Sequence, residues 1–227
     1  MSETITNNHS ALTNTINARS KPDWTFEDEH SQNFPLLVAG VDEVGRGALA
    51  GPVVAAAVVF PPDLNRAEPW IGHIKDSKKL NSASRVELSE IITNKCYVGF
   101  GEVSPHVIDA INIRQATLLA MRKAVNNLHI EPDRAIIDGI DCIGLSIEEL
   151  SIIGGDSRSV TIAAASIVAK VRRDIILTEL DTHFGGYGFA KHVGYGTRQH
   201  IKAINELGPC VVHRFSFKPI KNALTRV

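Results

Sequence analysis

Apolar residues along this chain follow two different periods. Residues 36–41 form a short continuous apolar run, and residues 53–60 a second that is closed by Pro61-Pro62. Runs of this length between turn residues predict buried strands. Tyr97–Val103 predicts a third strand, Arg134–Asp138 a short fourth that ends in Asp-Gly, and residues 150–153 a fifth. Helical spacing appears between them. Residues 85–95 predict a helix, and Ser104-Pro105 opens another, with serine at the cap and proline at the first helical position. Residues 112–128 predict an amphipathic helix. Residues 160–182 predict a long one whose wide apolar face (Ile162, Ala165, Val168, Ala169, Ile176, Leu180) suits packing on a sheet, and residues 197–207 a shorter one. Strands followed by mixed strands and helices predict an α/β fold, a mixed sheet flanked by helices. Residues 1–35 are polar and lack either period, so they are expected to form a disordered or loosely attached tail, and residues 36–227 the folded domain.

Composition narrows the class. The 227 residues are 44% hydrophobic and 22% charged, enough apolar material for one sizeable core without staples. Cys96, Cys142 and Cys210 are far apart and odd in number, with no Cys-x-x-Cys pair, which argues against a disulfide framework or a zinc knuckle. The N-terminus lacks a basic segment followed by an apolar one, and no run reaches the ~18 apolar residues of a membrane span. The expected location is therefore the cytoplasm. Net charge is −1, but residues 191–227 hold seven basic residues against the single acid Glu206, a segment suited to phosphates.

Four carboxylates stand where chemistry could use them. Asp42 and Glu43 follow the first predicted strand, Asp138 ends the fourth, and Asp156 lies between Gly154-Gly155 and the long helix. Acids at strand ends and at a helix start can converge on one sheet edge. Such a cluster calls for cations, because clustered like charges cannot all ionise unaided. Mg²⁺ and Mn²⁺ prefer such hard oxygens, and a pair of them ~4 Å apart suits phosphodiester hydrolysis. Each acid also has a plain reading: Asp138-Gly139 as a turn, Asp156 as a cap, and Asp42 and Glu43 on opposite faces of a regular strand. Both of the latter can serve one site if the strand ends or distorts there, which Gly45 and Gly47 would permit.

Gly45-Arg46-Gly47-Ala48-Leu49-Ala50 fits the dinucleotide fingerprint G-x-G-x-x-A, but its context does not. Gly51-Pro52 and a strand-like run follow, so no helix N-terminus is available to hold a pyrophosphate. A loop in which glycines bring peptide groups close to a sugar, with Arg46 holding a phosphate, fits better.

These residues belong to an ordered series. Val41-Asp-Glu-Val-Gly-Arg-Gly47 is followed by Leu49-Ala-Gly-Pro-Val-Val, Asp76-Ser-Lys-Lys-Leu80, Asn112-Ile, Ile137-Asp-Gly139, Gly155-Asp-Ser157, Ala164-Ala-Ser-Ile-Val-Ala-Lys170 with Arg173-Asp174, Tyr187-Gly-Phe, His192 with Gly194-Tyr195, and His213-Arg-x-Ser-Phe217. The series resembles bacterial ribonuclease HII over nearly the whole chain after about residue 36. The resemblance implies a ribonuclease H-like fold, a mixed five-stranded sheet flanked by helices with a helical C-terminal part. It implies an endoribonuclease that cuts the RNA strand of RNA–DNA hybrids and nicks duplex DNA on the 5′ side of embedded ribonucleotides, leaving 3′-hydroxyl and 5′-phosphate ends. It implies Asp42, Glu43, Asp138 and Asp156 as ligands of two Mn²⁺ or Mg²⁺ ions, Gly45, Arg46 and Gly47 as readers of the 2′-hydroxyl, Tyr195 as a sugar-stacking residue and Lys78 as a phosphate contact, in a monomeric enzyme. Two positions depart from the family's frequent pattern. Gly154 and Val193 stand where lysines are common, which removes two cations from beside the site.

Other features take plainer readings. His192 and His213 are expected to position groups or face phosphates rather than bind metal, and Trp24 and Trp70 to anchor loops by packing. Ser166 and Lys170 do not match Ser-x-x-Lys, so a serine nucleophile is not expected. The rival functions are another two-metal nuclease of the same broad fold, which would have no use for Gly45-Arg46-Gly47, and a non-catalytic nucleic-acid-binding module, which would not keep four acids in a phosphate groove.

Overall fold

The computed structural model describes residues 21–29, 36–74 and 80–225. Its centre is a five-stranded sheet: β1 (Val38–Val44), β2 (Val53–Val59), β3 (Tyr97–Val103), β4 (Arg134–Asp138) and β5 (Glu148–Ile152), in the spatial order β3-β2-β1-β4-β5. β1, β2 and β3 pair antiparallel, while β4 and β5 join β1 in parallel, so the sheet is mixed as expected.

Both faces are covered, which explains the continuous apolar runs of the central strands. On one face Ala39, Val41, Ala55, Ala57 and Ile137 pack against α4 (Pro105–Asn126). On the other, Ala56 and Val58 meet α2 (Pro69–Ile74), α3 (Ser82–Lys95) and the long α5 (Val160–His183). α5 lies close against β1, where a Cβ on Gly40 would stand 2.3 Å from the Thr161 carbonyl carbon. Only glycine allows that approach. The remaining chain forms the helical C-terminal part, with α6 (Phe189–His192), α7 (Arg198–Leu207) and α8 (Lys218–Leu224), around Leu177, Tyr187, Phe189, Leu49, Ile204 and Ile220.

The helix boundaries follow local chemistry. Ser104 caps α4 by accepting from Val107 N–H, with Pro105 at the first turn. The two helices expected around residues 104 and 112 adjoin within α4 at Asn112, whose backbone is non-helical at φ 66° and ψ 162° and whose side chain caps the second helix by accepting from Gln115 N–H. Thr197 caps α7 through His200 N–H. Trp70, expected in a loop, is buried in α2 and stacks on Phe60 at 5.8 Å.

The expected tail boundary at residue 36 needs correcting for residues 21–29. This segment docks on the domain. Asp23 bridges Ser159 in parallel, Trp24 meets Phe60 edge-on at 5.1 Å, and the short helix α1 (Thr25–Asp28) buries Glu27 to 4% exposure. Glu27 Oε1 accepts from the Ser159 and Thr161 hydroxyls and from Thr161 N–H at 2.7–2.9 Å, which places a carboxylate at the positive N-terminus of α5. A polar composition concealed one apolar anchor and one buried acid. The rest of the expected tail, residues 1–20 and 30–35, lies outside the described residues.

Candidate active site

β1 and β4 deliver the acids. Their parallel pairing ends at Val41 opposite Ile137, so Asp42, Glu43 and Asp138 stand just past the last rung, at one edge of the sheet. One carboxylate oxygen from each lies within 4.8 Å of the others. No strand distortion is involved, because β1 stays in register with β2 through Val44. The convergence comes from side-chain reach at the end of the ladder.

The fourth acid is placed differently. Asp156 occupies the 3-10 turn Gly155–Ser157, and Gly155 N–H donates to Asp138 Oδ1 at 2.7 Å. That bond ties its turn to the same edge, but Asp156 lies outside the group of three carboxylates.

The local electrostatics are those of a cation site. Burial pushes the Asp42 carboxyl well above the usual carboxylate range, Glu43 pushes it the same way, and Asp138 adds to both against a hydrogen bond with Ser166. Burial also raises Glu43, against the opposing charge of Arg46. Two acids resisting ionisation beside a third make a set of hard oxygen donors that a divalent ion would relieve. The residues therefore fit such an ion.

The glycine-rich loop adjoins the acids. Arg46, half exposed, holds Glu43 Oε1 at 3.3 Å. Gly45 has φ +92°, and a Cβ there would fall 2.1 Å from Arg173 Nε, so no other residue fits without displacing that side chain. A Cβ on Gly47 would lie 4.0 Å from Tyr195 Cε1. Gly45, Arg46, Gly47 and Tyr195 are thus brought together beside the acids, with Tyr195 37% exposed. Lys78 lies outside the described residues.

Sequence reasoning gave no role at the site to three residues that the structure places there. Ser166 hydrogen-bonds Asp42, and Arg173 and Arg214 are fully buried beneath the loop. A signal existed for two of them. Ser166 and Arg173 are seven apart on a helix, hence on one face, and both interrupt an apolar stripe. His192 and His213, by contrast, are buried among rings at 8% and 0% exposure, packed against Phe189.

Comparison with known proteins gives a consistent set. The sequence model of the family described as Ribonuclease HII matches residues 39–220. Ribonuclease HII of Geobacter metallireducens is 50% identical over 199 residues, 87% of this chain and 91% of that protein. The crystal structure of ribonuclease H2 from Pyrococcus horikoshii superposes with a TM-score of 0.70 at 24% identity, covering 83% of this chain and 97% of that one. Bst-RNase HIII, solved in complex with Mn²⁺, superposes with a TM-score of 0.65 at 20% identity, covering 84% of this chain and 70% of that one.

Proposed function

The chain belongs to the ribonuclease HII family, and from that premise we propose a specific site chemistry for its ribonuclease H activity. It is an endonuclease of the ribonuclease H type, a metal-dependent hydrolase whose substrate is nucleic acid. The proposed reaction is hydrolysis of the RNA strand of RNA–DNA hybrids and nicking of duplex DNA 5′ of an embedded ribonucleotide. The products carry 3′-hydroxyl and 5′-phosphate ends.

The observation that carries this reading is the meeting of Asp42, Glu43 and Asp138 within 4.8 Å at a sheet edge flanked by the glycine loop. Asp42, Glu43 and Asp138 would hold two Mn²⁺ or Mg²⁺ ions, with Asp156 completing the set from the adjoining turn. Bound there, such ions supply a polarised water and charge neutralisation at the phosphate. Ser166 orients Asp42 through its hydroxyl. Gly45, Arg46 and Gly47 bind the ribose, the glycines letting backbone groups approach a 2′-hydroxyl. Tyr195 stacks beside the sugar next to Gly47. Arg46, paired with Glu43 in the free protein, would exchange that partner for a phosphate. Lys78 is proposed as a further phosphate contact. Action as a monomer in the cytoplasm belongs to the same reading; the three free thiols bear on the compartment alone, which they suit as a reducing one.

The test is cleavage of a labelled DNA duplex carrying one ribonucleotide, with Mg²⁺ or Mn²⁺, beside the same duplex without ribose. Cutting only the first, 5′ of the ribonucleotide, is expected. Equal cutting of both would refute the 2′-hydroxyl reading.

A further inference from the structure

The two buried arginines beneath the loop are arranged in an unusual way. Arg173 reaches up from α5, and Arg214 comes from the segment before α8; both are 0% exposed. Each donates three hydrogen bonds, and all of them end on main-chain carbonyls. Arg173 donates from Nε to Pro52 O at 3.0 Å, from Nη1 to Val193 O at 2.8 Å and from Nη2 to Ala50 O at 3.1 Å. Arg214 donates from Nε and Nη2 to Gly51 O at 3.1 and 3.0 Å, and from Nη1 to Arg46 O at 2.8 Å. Burying two like charges together is costly, and any apolar pair of similar volume would fill the space at lower cost. What an apolar pair could not do is fix the direction of five carbonyls.

That direction has a stereochemical consequence. In a planar trans peptide the C=O of one residue and the N–H of the next point opposite ways. Arg214 draws the Arg46 carbonyl inward, so the Gly47 N–H is turned outward, on the side away from the guanidinium. The neighbouring Ala48 N–H is already used on Gly45 O at 3.3 Å, whereas Gly47 N–H has no partner among the described residues. Arg173 meanwhile links the loop at Ala50 and Pro52 to Val193, two residues before Tyr195, and its Cζ lies 5.6 Å from the Tyr195 ring.

We propose that Arg214 and Arg173 are positioning residues for ribose recognition: Arg214 aims the Gly47 N–H at the 2′-hydroxyl, and Arg173 sets the spacing between that donor and Tyr195. The inference rests on the proposed function, in which this loop reads ribose. Lysine cannot replace Arg214, because a single ammonium does not span Gly51 O and Arg46 O as a planar fork does.

The experiment compares the parent with Arg214→Lys in two assays. With Ca²⁺ in place of Mg²⁺ to suppress cutting, affinity is measured for a duplex with one ribonucleotide and for the same duplex in all-DNA form. The parent's preference for the first should fall toward unity in the variant, with all-DNA affinity held at the parent's value. With Mg²⁺, kcat/KM on the ribonucleotide duplex should fall about 100-fold, as expected when a reacting group is displaced by ~1 Å. A variant that keeps the parent's preference overturns the inference and leaves the functional reading intact; a parent without preference overturns both. Should Arg214→Lys fail to fold, the unaltered protein supplies the answer by NMR. Arg214 Nη protons should be individually resolved and slow to exchange, and the Gly47 amide should shift differently with ribose and deoxyribose duplexes. Averaged Nη signals, or identical Gly47 responses, would overturn the inference.

Discussion

At the scale of single residues, the site depends on where each carboxylate stands relative to the end of the β1–β4 ladder. Asp42 is 5% exposed and is pressed by burial and by Glu43, so its charge depends most on a cation. Asp42→Asn or Asp138→Asn should lower turnover by several orders of magnitude while duplex affinity in Ca²⁺ is preserved; near-normal turnover in either would end the two-metal assignment. Asp156 lies outside the three-acid group. Asp156→Asn should therefore leave measurable turnover and shift its dependence to higher Mn²⁺ concentration, as a metal titration of activity and of calorimetric Mn²⁺ binding would show. The meeting of Asp42, Glu43 and Asp138 was legible in the sequence because they sit at strand ends. Arg214 was not, because nothing in a linear pattern says that a basic residue 168 positions from Arg46 will donate to its carbonyl.

Among elements, the strands were the most legible. β3 and β4 fall where their apolar runs predict, and the proline and serine at the head of α4 marked its start. Short pieces were hidden. α1 and α2 are too brief to show a period, and they hold their places through Trp24, Phe60 and Trp70, contacts between residues far apart in the chain. The docking of α1 sets what a deletion at the N-terminal end should do. Glu27→Ala should cost about 2 kcal/mol, since it removes a buried acceptor that takes three hydrogen bonds and leaves the Thr161 N–H without its partner. Deletion of residues 1–29 should lower the melting midpoint further, while deletion of 1–20 alone, polar in sequence, should not. An unchanged midpoint in the longer deletion would mean that α1 adds nothing to the fold. The turns carrying Gly154 and Val193 also set limits on restoring the family's lysines. Both backbones are left-handed, with φ of 65° and 43°. Gly154→Lys therefore brings strain of about 1–2 kcal/mol along with its charge, whereas Val193 already bears that strain with a branched side chain. Each lysine that faces a phosphate should steepen the log–log salt dependence of duplex binding by about one unit. Parallel salt curves for the parent and the double variant Gly154→Lys with Val193→Lys would show that neither position faces the duplex.

At the scale of the whole molecule, the sheet and the helical C-terminal part meet through buried polar groups as well as apolar ones, and that junction should be acid-labile. His200 and His213 are both 0% exposed, with Nε2 atoms 3.1 Å apart, and His192 stacks on His200 at 4.4 Å. Burial pushes both His200 and His213 down to about 4, helped in each case by neighbouring histidines. In the unfolded chain both would take protons near pH ~6.5. Between those limits the unfolded state binds more protons, so stability is full above about pH 6.5 and falls as the pH drops toward 4, by at most about 1.4 kcal/mol per pH unit for each ring. The shared hydrogen bond sharpens the effect, since protonating both rings would set two N–H groups against each other. Asp42 and Glu43 act in the opposite sense. Their raised values mean that the metal-free fold gains stability as the pH falls through them. A comparison of the parent with His213→Gln cancels that contribution, because both proteins keep the acids. Denaturant unfolding at pH 7.5, 6.0 and 5.0 should show the parent losing more stability than the variant over this interval, with hydrogen exchange rising first across α6 and α7. Equal losses in the two proteins would mean that the histidine cluster does not set the acid limit of the fold.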